Sequence, residues 1–263
     1  MSRFSGRAVI VTGSSSGIGR AVALLFAREG AMVTICGRNE ATLEESRRLI
    51  YAENGGHNDK IVVVSGNICD EEVMNNVIHK TLQTFGRLDV LVNNAGGTYG
   101  AIDVQGVCYV SANLHILTSS KQRVKLLTSE ASLDFTTELI TKAAQDQLTR
   151  NLAIHYIRKG VRVNSVNPGY ISTSIIQKQG FADDVVKKGE EKMVSNHSRV
   201  PYQRTGKPEE VAEAVLFLAD REKSGFILGH QLVIDGGSSL QMALISDGFK
   251  VFAEVAADSS SQF

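Results

Sequence analysis

The chain has 263 residues, which is enough for one large domain with a well-buried core. Hydrophobic residues make up 43% and charged residues 21%, as in ordinary globular proteins. The 28 basic and 28 acidic residues leave no net charge that would favour nucleic acid or an anionic membrane. We therefore expect small molecules or proteins as partners, with no nucleic acid and no membrane among them.

The cysteines and the first residues bear on location. Cys36, Cys69 and Cys108 are scattered and odd in number, which argues against a disulfide framework and indicates a reducing compartment. The opening MSRFSGRAVIV lacks the apolar run of a signal peptide, and no stretch approaches the roughly 20 apolar residues of a membrane span. The dispersed histidines show no metal-ligand spacing, so no metal site is expected. These features predict a cytoplasmic protein.

Short β-branched runs alternate with longer amphipathic segments over the first 94 residues. The runs RAVIVT, AMVTIC, KIVVVS and LDVLVN are predicted strands, and the segments between them are predicted helices, at 17–30, 40–52 and 70–85. This alternation is typical of an α/β protein with a doubly wound parallel sheet and helices on both faces.

The alternation breaks after Asn94. Residues 97–133 contain only a weak helix at 109–117 and a weak strand at 124–129, which predicts a disruption of the sheet there. Regular elements resume with a helix over 135–158. Its apolar side chains recur at four-residue steps and predict a buried stripe, at Ile140, Ala144, Leu148 and Leu152.

The C-terminal third is predicted as a strand, a flap, a helix and a last strand. The strand VRVNSVNP is followed by the polar segment 174–207, which we expect to be a mobile flap. The segment PEEVAEAVLFLAD is a helix beginning at Pro208, a residue suited to the first helical position. HQLVIDGG ends with the last strand, and the tail at 257–263 is expected to be disordered.

In VTGSSSGIGR a strand runs straight into a helix through three glycines, Gly13, Gly17 and Gly19. Glycine allows a tight turn and lets backbone N–H groups approach a phosphate without a Cβ in the way. A dinucleotide requires such a turn at this position. The spacing differs from the common GxGxxG, and a glycine-rich turn alone is often only a turn.

Four motifs occur in an order that resembles the short-chain dehydrogenase/reductase family: TGSSSGIG at 12–19, NNAG at 93–96, NPGYIST at 167–173 and HQLVIDGG at 230–237. The resemblance covers nearly the whole length and is weakest between residues 96 and 139. It implies a single Rossmann-type domain over 1–263 that transfers hydride between NAD(P)(H) and a small carbonyl or secondary alcohol. Members of the family are usually homo-oligomers.

The resemblance assigns cofactor-binding roles residue by residue. The pyrophosphate would lie against Gly13, Ser15, Gly17, Ile18 and Gly19. The adenosine ribose would be flanked by Asn94, Ala95 and Gly96, and the nicotinamide carboxamide by Pro168, Gly169, Ile171 and Thr173. Asn67, next to Ile68, stands where the family usually has an aspartate facing the adenine. That departure keeps an acceptor oxygen but loses a charge.

The residues after the strand AMVTIC indicate which cofactor is preferred. An acidic residue at this position would bind the ribose 2′-hydroxyl and repel a 2′-phosphate. Here Gly37 and Arg38 follow instead, and a guanidinium can bind that phosphate through two parallel hydrogen bonds. We therefore expect NADP(H) to be favoured over NAD(H).

The family's catalytic tyrosine is missing. Lys142 matches the family lysine, which lowers the pKa of the tyrosine and holds the nicotinamide ribose, but Glu138 stands one turn earlier, in the place of the tyrosine. A carboxyl group titrates near 4.3 and would need an upward pKa shift of about 3 units to act as an acid at pH 7, while the lysine lowers it. A Glu–Lys pair at this spacing is also an ordinary helix-stabilising pair. Asn113 resembles the relay asparagine, and Ser129 the substrate serine, with Ser132 as a competitor.

Other tyrosines offer no better donor. Tyr156 precedes Lys159 by three residues and lies at the far end of the helix, so YIRK does not match the family pair. Tyr170, within NPGY, is the strongest of the remaining candidates.

The intervals around the missing tyrosine are short as well. Asn113 and Ser129 are 16 positions apart, too few for the long helix and central strand that the family places there. In the family, that helix and the next usually form the dimer interface. The short intervals therefore leave both dimerisation and catalysis undecided by the sequence. Three hypotheses therefore stand: an oxidoreductase, a cofactor-binding sensor or scaffold without turnover, and a mis-spliced or wrongly predicted segment at 97–138 of an active enzyme.

Overall fold

The computed structural model describes residues 2–96, 133–174, 177–197 and 200–240. Four of its strands are β1 (Ala8–Thr12), β2 (Met32–Gly37), β3 (Ile61–Ser65) and β4 (Val90–Val92). They form one parallel sheet in the order β3-β2-β1-β4, with Ala8 opposite Met32 and Val9 opposite Val90. The alternation of strands and helices in the sequence predicted this parallel sheet, and the prediction is confirmed.

Three helices connect these strands: α1 (Gly17–Arg28), α2 (Glu40–Glu53) and α3 (Glu71–Phe85). Alternate residues of β1 and β2 point to opposite faces of the sheet, as the pleat requires. On one face, Val9 and Ile35 pack in a cluster with Phe26 of α1. On the other, Ile10 packs in a cluster with Val77 of α3. Helices therefore cover both faces, which confirms the predicted doubly wound α/β architecture.

Among the described residues, the two C-terminal strands pair with each other, and this two-stranded parallel unit is called the small sheet. Its strands are β5 (Ser165–Pro168) and β6 (Gln231–Ile234), paired with Ser165 opposite Gln231. Between them lie α5 (Asp183–Val194), α6 (Pro208–Ala219) and the short α7 (Arg221–Ser224). The predicted helix start at Pro208 is confirmed. Helix α6 joins the two parts of the fold, because its Leu216 is buried in the same cluster as α1.

Helix α4 (Leu133–Ile157) runs beside the small sheet but does not bury the face that was expected. Leu148, a member of the predicted apolar stripe, is 38% exposed, whereas Thr149 and Ala153 are buried. The reason is polar: Asp146 accepts a hydrogen bond from the Asn167 side chain, and Arg150 donates one to Gln231. These bonds turn the face of Asp146, Thr149, Arg150 and Ala153 toward the sheet.

The remaining predictions concern the segment 174–207, the central segment and the C-terminal tail. The segment 174–207, expected to be a flap, contains helix α5, whose Val186 is buried. The weak helix at 109–117, the weak strand at 124–129 and the tail at 257–263 lie outside the described residues.

Candidate functional site

The glycine turn joins the end of β1 to the start of α1 at the carboxyl edge of the large sheet. Gly13 has φ +65°, and a Cβ there would lie 2.7 Å from the Ala95 Cα atom. A Cβ on Gly19 would overlap the Gly13 carbonyl oxygen and the Asn94 amide nitrogen. Both positions therefore require glycine for steric reasons, because the turn and the residues after β4 are in direct contact.

Asn94 and Thr12 hold the turn against the end of β4. The Asn94 Nδ2 donates to the carbonyl oxygens of Thr12 and Gly13 at 3.1 and 3.2 Å. The Thr12 hydroxyl accepts from the backbone nitrogens of Asn94 and Ala95, both at 3.0 Å. Asn94 and Ala95, predicted beside the adenosine ribose, thus fix the shape of the glycine turn, while Gly96 is exposed at the same edge.

Arg20 fixes the turn from behind, a role that was not predicted. Its Nη2 donates to the Ser15 carbonyl oxygen at 2.6 Å and to Glu45 at 2.8 Å. Its Nε donates to the Ser46 hydroxyl, which in turn donates to the Ser14 carbonyl at 2.9 Å. The carbonyl oxygen of Ser15 therefore points toward Arg20, and that of Ser14 toward Ser46.

The N-terminus of α1 is free to receive an anion. The first N–H groups of a helix have no partner within the helix and carry a partial positive charge. Ser16, the N-cap residue, makes no side-chain capping bond, and the first turn of α1 contains no acidic residue. Ile18 contributes its backbone to this first turn while its side chain packs against the core. A phosphate group fits this arrangement.

Arg38 is exposed directly after β2, at the same edge as the glycine turn. Within the described ranges no acidic side chain forms an ion pair with it. Its neighbour Asn39 caps α2 by accepting from the Thr42 nitrogen at 3.0 Å. The guanidinium is therefore available to a ligand bound across the ends of β1 and β2.

Asn67 and Ile68 follow β3 at this edge. Asn67 is exposed, and its Oδ1 accepts from the Cys69 nitrogen at 3.2 Å. Ile68 packs against the cluster that contains Val77. Asn67 can thus meet a ligand, whereas the side chain of Ile68 is directed to the core.

The segment NPGYIST lies next to the glycine turn. A Cβ on Gly169 would lie 2.6 Å from the Asp235 Cβ, so glycine is required here by the end of β6. Pro168 and Gly169 are exposed, and Ile171 is buried and bridges to Gly206. The Thr173 methyl group packs 3.3 Å from where Gly17 would carry a Cβ. This segment therefore lies beside the start of α1, as its predicted cofactor role requires.

Lys142 lies on the part of α4 that reaches the carboxyl edge of β5. Helix α4 runs antiparallel to the small sheet, because Asp146 bonds to Asn167 near the end of β5 while Arg150 bonds to Gln231 at the start of β6. Lys142 is one turn before Asp146, about 6 Å further along the helix and past the end of β5. Lys142 is exposed and lies at the same end of the small sheet as Pro168 and Gly169.

The other predicted catalytic residues are not all described. Glu138 is on α4 one turn before Lys142, but its side chain lies outside the described residues. Asn113, Ser129 and Ser132 lie outside them entirely. Tyr156, near the C-terminal end of α4, is on the far side of the Arg150–Gln231 bond and therefore away from the glycine turn.

Tyr170 is an unsuitable proton donor. Its hydroxyl donates to Glu190 of α5 at 3.3 Å, and Ser172 donates to the same carboxylate at 3.1 Å. Burial, reinforced by the Glu190 charge, raises the pKa of Tyr170 above its ordinary value. A general acid working near neutral pH needs the opposite shift. Tyr170 and Glu190 instead join the segment 174–207 to the end of β5.

A pocket of about 260 Å³ opens behind Tyr170 and is lined also by Tyr202, Arg204 and Asp235. None of its lining residues comes from the glycine turn or α1, so the pocket is separate from the glycine turn. Among the described residues, no group of three metal-ligating side chains is clustered. The described helices also include none with the length and apolar character needed to cross a membrane.

A doubly wound parallel sheet with a glycine turn leading into the N-terminus of its first helix defines a Rossmann-like protein. The profile of short chain dehydrogenases matches residues 7–111, and that of enoyl-(acyl carrier protein) reductases matches residues 128–239. A Thermotoga maritima uncharacterized oxidoreductase is 34% identical over 258 residues, covering 90% of this chain and 98% of the relative. The chain belongs to the short-chain dehydrogenase/reductase family.

Two further comparisons agree in length and fold. Glucose 1-dehydrogenase of Gluconobacter oxydans is 33% identical over 260 residues, covering 90% of this chain and 94% of the relative. The structure of a short-chain dehydrogenase/reductase of unknown function from Caenorhabditis elegans, determined with cofactor, is 36% identical and has a TM-score of 0.78. That comparison covers 91% of this chain and 97% of the other.

Proposed function

We propose that this protein binds NADP(H) across the carboxyl ends of β1 and β2 and acts as an oxidoreductase on a small carbonyl compound or secondary alcohol. The observation that carries the proposal is the pairing of an uncapped positive helix end with a guanidinium that forms no ion pair among the described residues, both at one sheet edge. Ser16 leaves the α1 N-terminus uncapped, and Arg38 has no acidic partner among the described residues. When bound, the nicotinamide cofactor donates or accepts the hydride.

The preference for NADP(H) rests on charge. The ribose 2′-phosphate of NADP would lie after β2, where Gly37, Arg38 and Asn39 supply one positive and no negative side chain. A guanidinium that is not already paired with a carboxylate loses no existing ion pair when it binds phosphate. NADH lacks this phosphate and gains nothing from Arg38.

The test is cofactor titration of the wild type and of Arg38→Met, by nucleotide fluorescence or calorimetry. We expect Arg38→Met to weaken NADPH binding at least about tenfold, since charge-assisted hydrogen bonds contribute about 1.5 to 3 kcal/mol, and to leave NADH binding unchanged. Arg48→Met, on the exposed surface of α2, is the control and should change neither affinity. Equal weakening of both cofactors by Arg38→Met would contradict the assignment.

The catalytic part of the proposal rests on α4. Lys142 would hold the nicotinamide ribose at the end of β5, Ser129 would position the substrate, and Asn113 would take part in the proton relay. Glu138 occupies the position of the family tyrosine. To donate a proton at pH 7 it would need a pKa about 3 units above 4.3, which corresponds to roughly 4 kcal/mol and is opposed by Lys142.

Substrate-dependent NADPH oxidation across a panel of aldehydes and ketones tests turnover. The reverse reaction should be tested with secondary alcohols and with glucose, since a similar protein is a glucose 1-dehydrogenase. Turnover of one substrate with a saturable rate is the expected result. Absence of turnover across both panels would remove the enzymatic proposal.

A cofactor-binding sensor or scaffold without turnover is the second candidate, favoured by the glutamate at residue 138. It predicts micromolar NADPH binding together with no reaction in either direction. A protein that retains no pyridine nucleotide at all would exclude both candidates. A cytoplasmic location and a homo-oligomer belong to the same proposal, and light scattering on the purified protein measures the oligomeric state.

A further inference from the structure

Lys178 reaches from the segment after NPGYIST to the start of α1. Its Nζ lies 2.6 Å from the hydroxyl oxygen of Ser16, the N-cap residue of that helix. The two residues are 162 positions apart in the sequence, so the contact is made by the fold alone. It places an ammonium group directly at the phosphate turn.

A lysine at this point is electrostatically unfavourable unless an anion joins it. The N-terminus of a helix already carries a partial positive charge, and acidic rather than basic side chains stabilise it. Arg20, the other cation nearby, is neutralised by Glu45 at 2.8 Å. By contrast, no acidic side chain in the described ranges forms an ion pair with Lys178, which is exposed. The charge of Lys178 is thus uncompensated where a phosphate would bind.

The backbone around Lys178 is held in place by contacts that do not involve its ammonium group. Residues 177–179 form a short helical turn, and the Lys178 nitrogen donates to the Ser174 carbonyl oxygen at 3.1 Å. On the N-terminal side of this helical turn, Thr173 packs against Gly17 at the start of α1. Only the long lysine side chain has to move to exchange the Ser16 hydroxyl for a phosphate oxygen.

We propose that Lys178 binds the pyrophosphate of the cofactor, so that the segment 174–207 contributes directly to cofactor affinity. The inference rests on the proposed function and deepens it. Because Lys178 lies at the start of α1 and Arg38 lies after β2, the two cations serve different phosphates. Lys178 therefore supports NADPH and NADH alike, whereas Arg38 supports NADPH alone.

The test compares both cofactors on matched variants of the full chain. Lys178→Met should weaken NADPH and NADH binding by a similar factor of about ten, the effect of losing one charge-assisted hydrogen bond. Lys178→Arg keeps the positive charge and should restore most of the affinity. Lys187→Met removes the same charge from an exposed position of α5 and should leave both affinities unchanged.

Thermal unfolding separates a binding role from a structural one. Without cofactor, Lys178→Met should melt no lower than the wild type, because it removes a cation from a positive helix end. At a fixed NADPH concentration its stabilisation by cofactor should be smaller.

Four outcomes would overturn the inference, and one of them also removes the proposed function. If the wild type binds neither cofactor, the proposed function fails and this inference fails with it. If the wild type binds NADPH but Lys178→Met binds it equally well, only the role of Lys178 is wrong. Weakening of NADPH alone would assign Lys178 to the 2′-phosphate, against the inference. If Lys178→Met and Lys187→Met weaken cofactor binding equally, the effect comes from overall charge and the inference is wrong.

Discussion

At the scale of single residues, the glycine turn is specified by contact more than by flexibility. Gly19 lies inside α1, where any residue could adopt the helical backbone, yet a Cβ there would overlap the Gly13 carbonyl and the Asn94 amide. The bonds from Asn94 to Thr12 and Gly13 explain why these groups cannot withdraw. The turn and the segment after β4 therefore constrain each other.

We expect Gly19→Ala to destabilise the protein by about 2 to 3 kcal/mol, the usual cost of forcing atoms into a packed site. Gly189→Ala, in α5 where nothing lies within 4 Å of the new methyl group, is the matched control. It should stabilise the protein by about 0.5 to 1 kcal/mol through helix propensity. Urea unfolding of both variants measures the difference, and equal effects would show that the steric argument is wrong.

Glu138→Tyr alone should recover little activity. The change restores the tyrosine four residues before Lys142, but Ser129 and Asn113 remain on a segment with short intervals, only 9 and 16 positions long. The NADPH-oxidation rate should stay within about tenfold of the wild type, less than the 100-fold or more that a placed general acid contributes. Unchanged NADPH affinity is the control, and a recovery of several hundredfold would show that the segment 97–138 is competent.

Sequence motifs predicted the candidate site residues that lie in local patterns, and their roles in cofactor binding stay predictions. The glycines, Asn94 and the NPGYIST segment are recognisable because their neighbours in the chain determine their positions. Arg20 follows the last glycine and was available to the same reasoning, but its partners Ser46 and Glu45 lie on another helix. Lys178 and Glu190 act through contacts between distant segments, which no local pattern encodes.

At the scale of elements, α6 is fixed at its C-terminal end by a half-buried arginine, Arg162. The Arg162 guanidinium donates to the carbonyl oxygens of Leu218, Ser224 and Ile227 at 2.8, 2.9 and 3.3 Å. Burial, with Arg221 nearby, lowers the pKa of Arg162, but a guanidinium stays charged at neutral pH. A cation at the C-terminal end of a helix complements the negative end of its dipole.

Arg162→Met should therefore lower the free energy of unfolding by about 3 kcal/mol, because it leaves several carbonyl oxygens without a donor. Arg158→Met, a change of the same type at an exposed position at the end of α4, should cost less than about 0.5 kcal/mol. Chemical denaturation followed by circular dichroism compares the two. Similar losses in both variants would contradict the role assigned to Arg162.

The predicted stripe on α4 shows where periodicity fails. Ile140, Ala144, Leu148 and Leu152 recur at the right spacing, but two hydrogen bonds determine which face of α4 meets the small sheet: Asp146 accepts one from Asn167, and Arg150 donates one to Gln231. Hydrophobic spacing predicts that a helix is present and roughly where it ends. Its rotation about its own axis depends on partners elsewhere in the chain.

At the scale of the whole molecule, the predicted doubly wound α/β class is confirmed. The described strands pair as a four-stranded group, β3-β2-β1-β4, and a two-stranded group, β5-β6, and residues 97–132, between them in the chain, lie outside the described residues. Helix α6 packs on α1, and Lys178 contacts Ser16, so the two groups are joined. The doubly wound class was predictable because alternation of strands and helices is a local property. The order in which the strands pair was not, because it depends on contacts between distant segments.

Stability should fall at acid pH in part through Asp89. Burial of its carboxylate raises its pKa, but hydrogen bonds from Arg87, the Ala8 nitrogen and Arg7 outweigh burial, and the net pKa is lowered. A depressed pKa gives stability that is fully present above the unfolded value of about 3.9 and is lost as pH falls through the folded value.

Asp89→Asn should therefore cost about 1 to 2 kcal/mol at pH 7 and flatten the decline below pH 4. Asp59→Asn is the control, since the Asp59 side chain is 79% exposed. Urea midpoints measured from pH 3 to pH 7 give both curves. An acid decline as steep in Asp89→Asn as in the wild type would contradict this assignment.

The bonds from Asp146 and Arg150 have a consequence for how this chain can diverge. They fix α4 to the small sheet on the C-terminal side of Lys142, so the position of the lysine does not depend on what precedes it. Insertions or deletions between residues 97 and 132 can accumulate without displacing the group that would hold the nicotinamide ribose. If the chain binds a nucleotide as proposed, the binding surface can persist while that segment changes, and new uses for a bound cofactor can evolve on it.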